Sequence, residues 1–128
     1  MKESLNIIKK TQYGSDVVSI TGDISRENVS DLAVFLLKNP LTQGGNVIFD
    51  LSGVKHINSF ALSDLEKIFQ DIAAKKIHIF IMNMEHELMN LFSTSRIRRY
   101  YRIVENETML SDRMKKRDFE DLLDPDSE

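Results

Sequence analysis

Two apolar runs, Asn46-Val47-Ile48-Phe49-Asp50-Leu51 and Ile77-His78-Ile79-Phe80-Ile81-Met82, constrain the chain more than any other feature. Short, nearly continuous apolar runs of this kind are the mark of strands buried in a parallel sheet. Between them, Leu62, Leu65, Ile68, Phe69 and Ile72 recur at helical spacing. Parallel strands need such a crossover, and its hand is right in nearly all folds. The centre of the chain therefore reads as a β-α-β unit.

The flanks extend this pattern. Leu5, Ile7 and Ile8 precede the turn-like Tyr13-Gly14-Ser15-Asp16, and Val17-Val18-Ser19-Ile20-Thr21 stops at Gly22, which predicts a hairpin. Ser25 is placed as the N-cap of the next helix, with Glu27 favourably near its positive end. Val29, Leu32, Ala33, Leu36 and Leu37 form its apolar stripe, widened by Val34 and Phe35, and Asn39-Pro40 ends it. Gly44-Gly45 is read as a turn rather than a phosphate loop. The start of the central helix is open between a cap at Asn58 or Ser59 and the capping-box match Ser63-Asp64-Leu65-Glu66. Residues 85–92 form a short helix with Leu88, Leu91 and Phe92 inward, and Tyr101-Arg102-Ile103-Val104 a short edge strand. A last helix is expected over residues 105–123, before an acidic tail broken by Pro125. The expected fold class is α/β: a mixed β-sheet with helices packed on it, in the order ββαβαβαβα.

Composition excludes several classes of function. In 128 residues, 41% apolar and 29% charged side chains suit one folded domain rather than a disordered chain. Seventeen basic against 20 acidic residues leave a formal charge of −3, which argues against general polyelectrolyte binding. Without cysteine there is no disulfide framework, thiolate zinc site or cysteine nucleophile. No apolar stretch approaches the roughly eighteen residues of a membrane span, and residues 1–10 lack a signal-peptide core. A cytoplasmic domain is expected.

The segment Asp50-Leu51-Ser52-Gly53-Val54-Lys55-His56-Ile57-Asn58-Ser59-Phe60-Ala61-Leu62 resembles the signature of STAS domains, named for sulphate transporters and anti-sigma factor antagonists. That signature is an apolar strand ending in Asp-Leu-Ser-x-Val, then Asp-Ser-(Ser/Thr)-Gly-Leu opening a helix. Val17 to Gly22 with Asp23-Ile24, Ile77 to Asn83, and Leu88 with Leu91-Phe92 resemble further parts of the family pattern. The resemblance implies a STAS-like domain over residues 1–112 and a charged C-terminal helix with an acidic tail over residues 113–128.

It also implies a non-enzymatic bacterial adaptor of transcription regulation. Its partners would be a serine kinase that also acts as an anti-sigma factor and a PP2C-type phosphatase, with no cofactor. The acceptor position falls on Ser59. Asn58, Phe60, Ala61 and Leu62 form the adjacent contact surface, and Asp23 and Ser25 lie on the neighbouring loop by analogy. Three departures stand out: Asn58 replaces the signature Asp, Phe60 the second Ser/Thr, and Ala61 the Gly. Phe60 is read as a core residue, with an exposed partner contact as the alternative. The structural alternative for Ser59 is a plain helix cap.

Other constellations carry less. His56, His78 and His86 lack metal-ligand spacing. Asp50, His56 and Ser59 are too crowded along one passage for a triad and lack an oxyanion loop. Met82, Met84 and Met89 are read as core filler. Arg96-Ile97-Arg98-Arg99-Tyr100-Tyr101-Arg102 is the one basic-aromatic cluster. It supports a third reading as a small nucleic-acid binder, against intramolecular pairing or an acidic partner. A constitutive scaffold or transport-complex subunit anchored by Phe60 is the second reading. The C-terminal helix offers a surface for packing across the domain, for homo-oligomers or for a partner.

Overall fold

The computed structural model describes residues 4–104. Strand β1 (Asn6–Gln12) and strand β2 (Ser15–Thr21) form the hairpin, with Tyr13 and Gly14 both at positive φ in its two-residue turn. Helix α1 (Val29–Lys38) leads to β3 (Asn46–Gly53), helix α2 (Ser59–Ala74) to β4 (His78–Met82), and helix α3 (His86–Ser93) with a short 3-10 helix (Arg96–Tyr100) to β5 (Tyr101–Val104). The five strands lie in the order β1-β2-β3-β4-β5. Only β1 is antiparallel to its neighbour; β2, β3, β4 and β5 pair in parallel. The mixed sheet matches the sequence reading. The expected last helix and tail lie outside the described residues.

Alternation in the strands divides the apolar residues between two faces. Val18, Ile20, Val47, Phe49, Leu51, Ile79 and Ile81 join the inward residues of all three helices in the main core. Phe49 stacks on Phe69 of α2 at 5.2 Å between ring centroids. Val17, Ile48, Phe80, Met82 and Val104 form a smaller cluster on the other face, with Tyr13 packed against it. The consecutive Val47-Ile48-Phe49 run thus serves both faces at once, which is why it shows no alternation.

Three local expectations are corrected. Ser25 does not cap α1: Asn28, Oδ1 bound to the Ser25 amide, stands at the N-cap and the helix starts at Val29. Residues 25–28 form a turn instead, with the Val29 amide donating to the Ser25 carbonyl at 2.9 Å. Leu37 is 79% exposed and Val34 also faces solvent. The reason is that α1 crosses the core on its Val29 and Leu32 side, so a stripe that wide cannot all be covered. Met82 and Met84 are core residues, whereas Met89 lies on the outer side of α3 and is exposed.

Candidate functional site

Parallel pairing of β2 with β3 sets their C-terminal ends side by side, so the loops that leave them run together. Three backbone hydrogen bonds fasten the two loops. The Gly22 amide donates to the Gly53 carbonyl at 3.0 Å, Ile24 to His56 at 3.0 Å, and Asn58 to Ile24 at 2.9 Å. Ile24 and Ile57 form an isolated parallel bridge between them, and both side chains are buried. The close approach starts at Gly53, where a Cβ would lie 2.7 Å from Thr21 Oγ1 and 3.0 Å from the Ile20 carbonyl. Only glycine fits there without displacement of the β2 backbone.

Asn28, only 1% exposed, shapes the first loop from inside. Its Nδ2 donates to the Asp23 carbonyl and its Oδ1 accepts from the Ser25 amide, both at 2.8 Å. Asp23 is thereby exposed at the loop surface and Ser25 is half-buried. On the second loop Asn58 resolves the capping question. Its backbone is extended and its Oδ1 accepts from the Phe60 amide at 2.8 Å, so it is the N-cap of α2. The asparagine that replaces the signature aspartate therefore keeps the capping hydrogen bond while giving up the negative charge.

Ser59 follows as the first residue of α2 and is exposed. Phe60 is 67% exposed, which corrects the expectation of a core residue. The helix phase explains this: Ala61, Leu62 and Leu65 take the inward positions, and Phe60 precedes them on the outer side. By the same phase Ala61 (0%) and Leu62 (5%) are core residues, which corrects their place in the contact surface. The accessible candidates are Asp23, Asn58, Ser59 and Phe60, with Ser25 partly so.

One residue of this surface escaped the sequence reading. The Arg26 guanidinium carbon lies 5.5 Å from the centroid of the Phe60 ring, a cation–π contact between the two loops. No spacing rule links positions 26 and 60; only the pairing of the loops brings them together. Behind them, Lys55 Nζ meets Glu85 Oε2 at 2.9 Å, and the Glu85 carboxylate raises the Lys55 pKa above its ordinary value. Asp50 Oδ1 accepts from the Ser52 amide at 3.0 Å and from Asn83 Nδ2 at 3.1 Å. Asp50, the first aspartate of the signature, is thus a clasp between the ends of β3 and β4.

The arginine cluster lies elsewhere. Its 3-10 helix precedes β5, so it sits at the N-terminal edge of the parallel strands, opposite the Ser59 end. Arg96 pairs with Glu66 at 3.8 Å, while Arg98 and Arg99 are exposed. Tyr101 is buried against Phe92, and burial pushes its phenol pKa up, partly opposed by Arg98. Gln70 Nε2 donates to the Tyr100 hydroxyl oxygen at 2.9 Å. Tyr101, only 8% exposed, does not present a ring for stacking on nucleotide bases. Among the described residues no group of three or more His, Asp or Glu side chains is arranged to hold a metal ion, and no helix is long and apolar enough to cross a membrane.

The sequence profile of the STAS domain matches residues 6–108. The chain belongs to the STAS domain family. Solved structures agree on the fold at low sequence identity. A STAS domain protein from Planctomyces limnophilus, described as an anti-sigma-factor antagonist, superposes with a TM-score of 0.67 at 15% identity, over 88% of this chain and 99% of that one. The anti-sigma factor antagonist SpoIIAA in its unphosphorylated form gives 0.57 at 10% identity, over 87% and 97%. The murine Slc26a9 anion transporter gives 0.65 at 14% identity over 79% of this chain. This STAS chain spans only 18% of the transporter's length. No curated protein matches the sequence.

Proposed function

We propose that this STAS domain is a cytoplasmic protein-binding module switched by reversible phosphorylation of Ser59. The observation that carries the reading is the exposed hydroxyl-bearing residue at the first position of α2, flanked by the exposed Phe60 and the Asp23 loop. A partner serine kinase would transfer the terminal phosphoryl group of a nucleoside triphosphate to Ser59 Oγ, releasing the hydroxyl proton and the nucleoside diphosphate. A PP2C-type phosphatase would hydrolyse the ester with water and free inorganic phosphate. Neither step needs a catalytic group on this chain.

The physics of the site suits a switch that leaves the fold intact. Phosphate adds about −1.5 to −2 charges. The first turn of a helix, at the positive end of its dipole, accommodates a dianion without unfolding. A partner packed on Ser59 would instead have to desolvate that charge, and about 1.4 kcal/mol already changes affinity tenfold.

The test is co-purification of the wild-type chain, Ser59→Ala and Ser59→Asp with partner proteins from source cells, with intact mass recorded. One phosphate on the Ser59 peptide, loss of the partner in Ser59→Asp and retention in Ser59→Ala support the switch. Equal binding by all three, with no phosphate at any growth stage, overturns it. The exposure of Phe60 favours a second reading, a constitutive STAS scaffold or transport-complex subunit with Phe60 as anchor. In that case Phe60→Ala releases the partner and Ser59→Asp does not.

A further inference from the structure

We infer that Arg26 reads the modification state of Ser59: its guanidinium covers the Phe60 ring while Ser59 is unmodified and turns to the phosphate once Ser59 carries one. The inference rests on the reading of Ser59 as a phosphate acceptor and concerns what that phosphate does to the surface.

Arg26 is exposed, and its guanidinium carbon lies 5.5 Å from the Phe60 ring centroid. Among the described residues no carboxylate pairs with it. Phe60 is the residue after Ser59, so the cation already stands at the neighbouring side chain. The two loops that carry the pair are held by the Ile24 and Asn58 backbone hydrogen bonds and by the buried Ile24–Ile57 bridge. With the loop backbones fastened in this way, the exchange of one contact for the other falls to the Arg26 side chain.

The competition between the two contacts is uneven. A solvent-exposed cation–π contact is weak, whereas a guanidinium donates paired, charge-assisted hydrogen bonds to a phosphate dianion. The other charged or titratable groups on these loops are Asp23 and Glu27 beside Arg26, and Lys55, His56 and Asp64 around the start of α2. Asp23, Glu27 and Asp64 repel a phosphate, which leaves Arg26 and Lys55 as the arginine and lysine of these loops, and Lys55 is already engaged by Glu85.

The switch then has two parts rather than one. The unmodified surface presents an aromatic ring capped by a free cation. It fits a partner protein that sets a carboxylate beside an apolar pocket. Phosphate removes the cation from that partner carboxylate by pairing with it and adds bulk and charge beside the ring. Repulsion at Ser59 and loss of the Arg26 contact act together on partner affinity.

The test uses the full chain with phosphoserine incorporated at position 59 during synthesis, as wild type, Arg26→Gln and Arg26→Lys. Phosphorus NMR against pH gives the second pKa of the phosphate, and proton NMR follows the Arg26 side chain. With Arg26 present, that pKa falls by roughly half a unit relative to Arg26→Gln, the size expected of an exposed ion pair. The Arg26 methylene signals, shifted by the ring in the unmodified chain, move back towards random-coil positions on phosphorylation. Arg26→Lys restores part of the pKa change. His56 is common to all three proteins and drops out of the comparison. Equal phosphate pKa values in wild type and Arg26→Gln, with unmoved Arg26 signals, overturn the inference even where cells do phosphorylate Ser59. A Ser59 that source-cell extracts never phosphorylate overturns the switch, and with it this role of Arg26, whatever the NMR pairing.

Discussion

Lys55 and Glu85 join the loop before Ser59 to the N-cap of α3 through a 2.9 Å ion pair. Both side chains are well exposed, so solvent screens the pair and its contribution to stability is small. The Lys55 pKa is raised above its ordinary 10.5 by the Glu85 hydrogen bond and charge. A raised lysine pKa means stabilisation that is complete below pH 10.5 and lost as pH climbs through the folded value. Lys55→Met is therefore expected to lower the melting temperature slightly at neutral pH and low salt. The difference from wild type should vanish in high salt and above that alkaline limit. A persistent difference under both conditions would assign the effect to packing instead.

Gly53→Ala tests the close approach of the two loops. The added Cβ meets Thr21 Oγ1 and the Ile20 carbonyl. Displacing β2 backbone should cost about 1–3 kcal/mol, measured by urea unfolding. Gly14→Ala, whose Cβ meets nothing, provides the contrast of strain at positive φ without a clash.

Asn28→Ala removes both hydrogen bonds that shape the Asp23 loop. It leaves the Asp23 carbonyl and the Ser25 amide without that partner. The expected loss is about 1–3 kcal/mol. Amide exchange should quicken at Ile24 and Asn58, which donate across the loop pair. Unchanged exchange at those two amides would show that the Ile24–Ile57 bridge holds the loops unaided.

Phe60 and Phe69 separate surface from core within one helix. Phe69→Ala empties a space stacked on Phe49 and should cost about 3–5 kcal/mol. Phe60→Ala should change stability by no more than about 0.5 kcal/mol. A large loss from Phe60→Ala in thermal or urea unfolding would return that ring to a structural role.

These contrasts show how far periodicity reaches. The buried strands β3 and β4 were legible as the short continuous apolar runs Val47-Ile48-Phe49 and Ile79-Phe80-Ile81, and the inward face of α2 because Leu62-Leu65-Phe69-Ile72 repeats at the helical period. The limits were α1 and the helix starts. A stripe that includes Leu37 describes what a helix offers, not what its neighbours cover. Ser25 looked like a cap because it is a good capping residue. Asn28, three residues on, took the position because its amide group satisfies Asp23 and Ser25 together.

By itself the sequence determined the strand and helix order as far as β5, the parallel character of the central strands, the STAS signature around Asp50 and Ser59, and the absence of cysteine chemistry. These follow from local residue type and spacing, which act over a few turns of chain. Only the tertiary structure decided that Phe60 faces outward, that Ala61 and Leu62 do not, and that Arg26 stands over Phe60 from another loop. The reason is that the phase of α2 is set by packing against the sheet. The meeting of residues 26 and 60 is set by strands β2 and β3 lying parallel, with Gly53 allowing their loops to close.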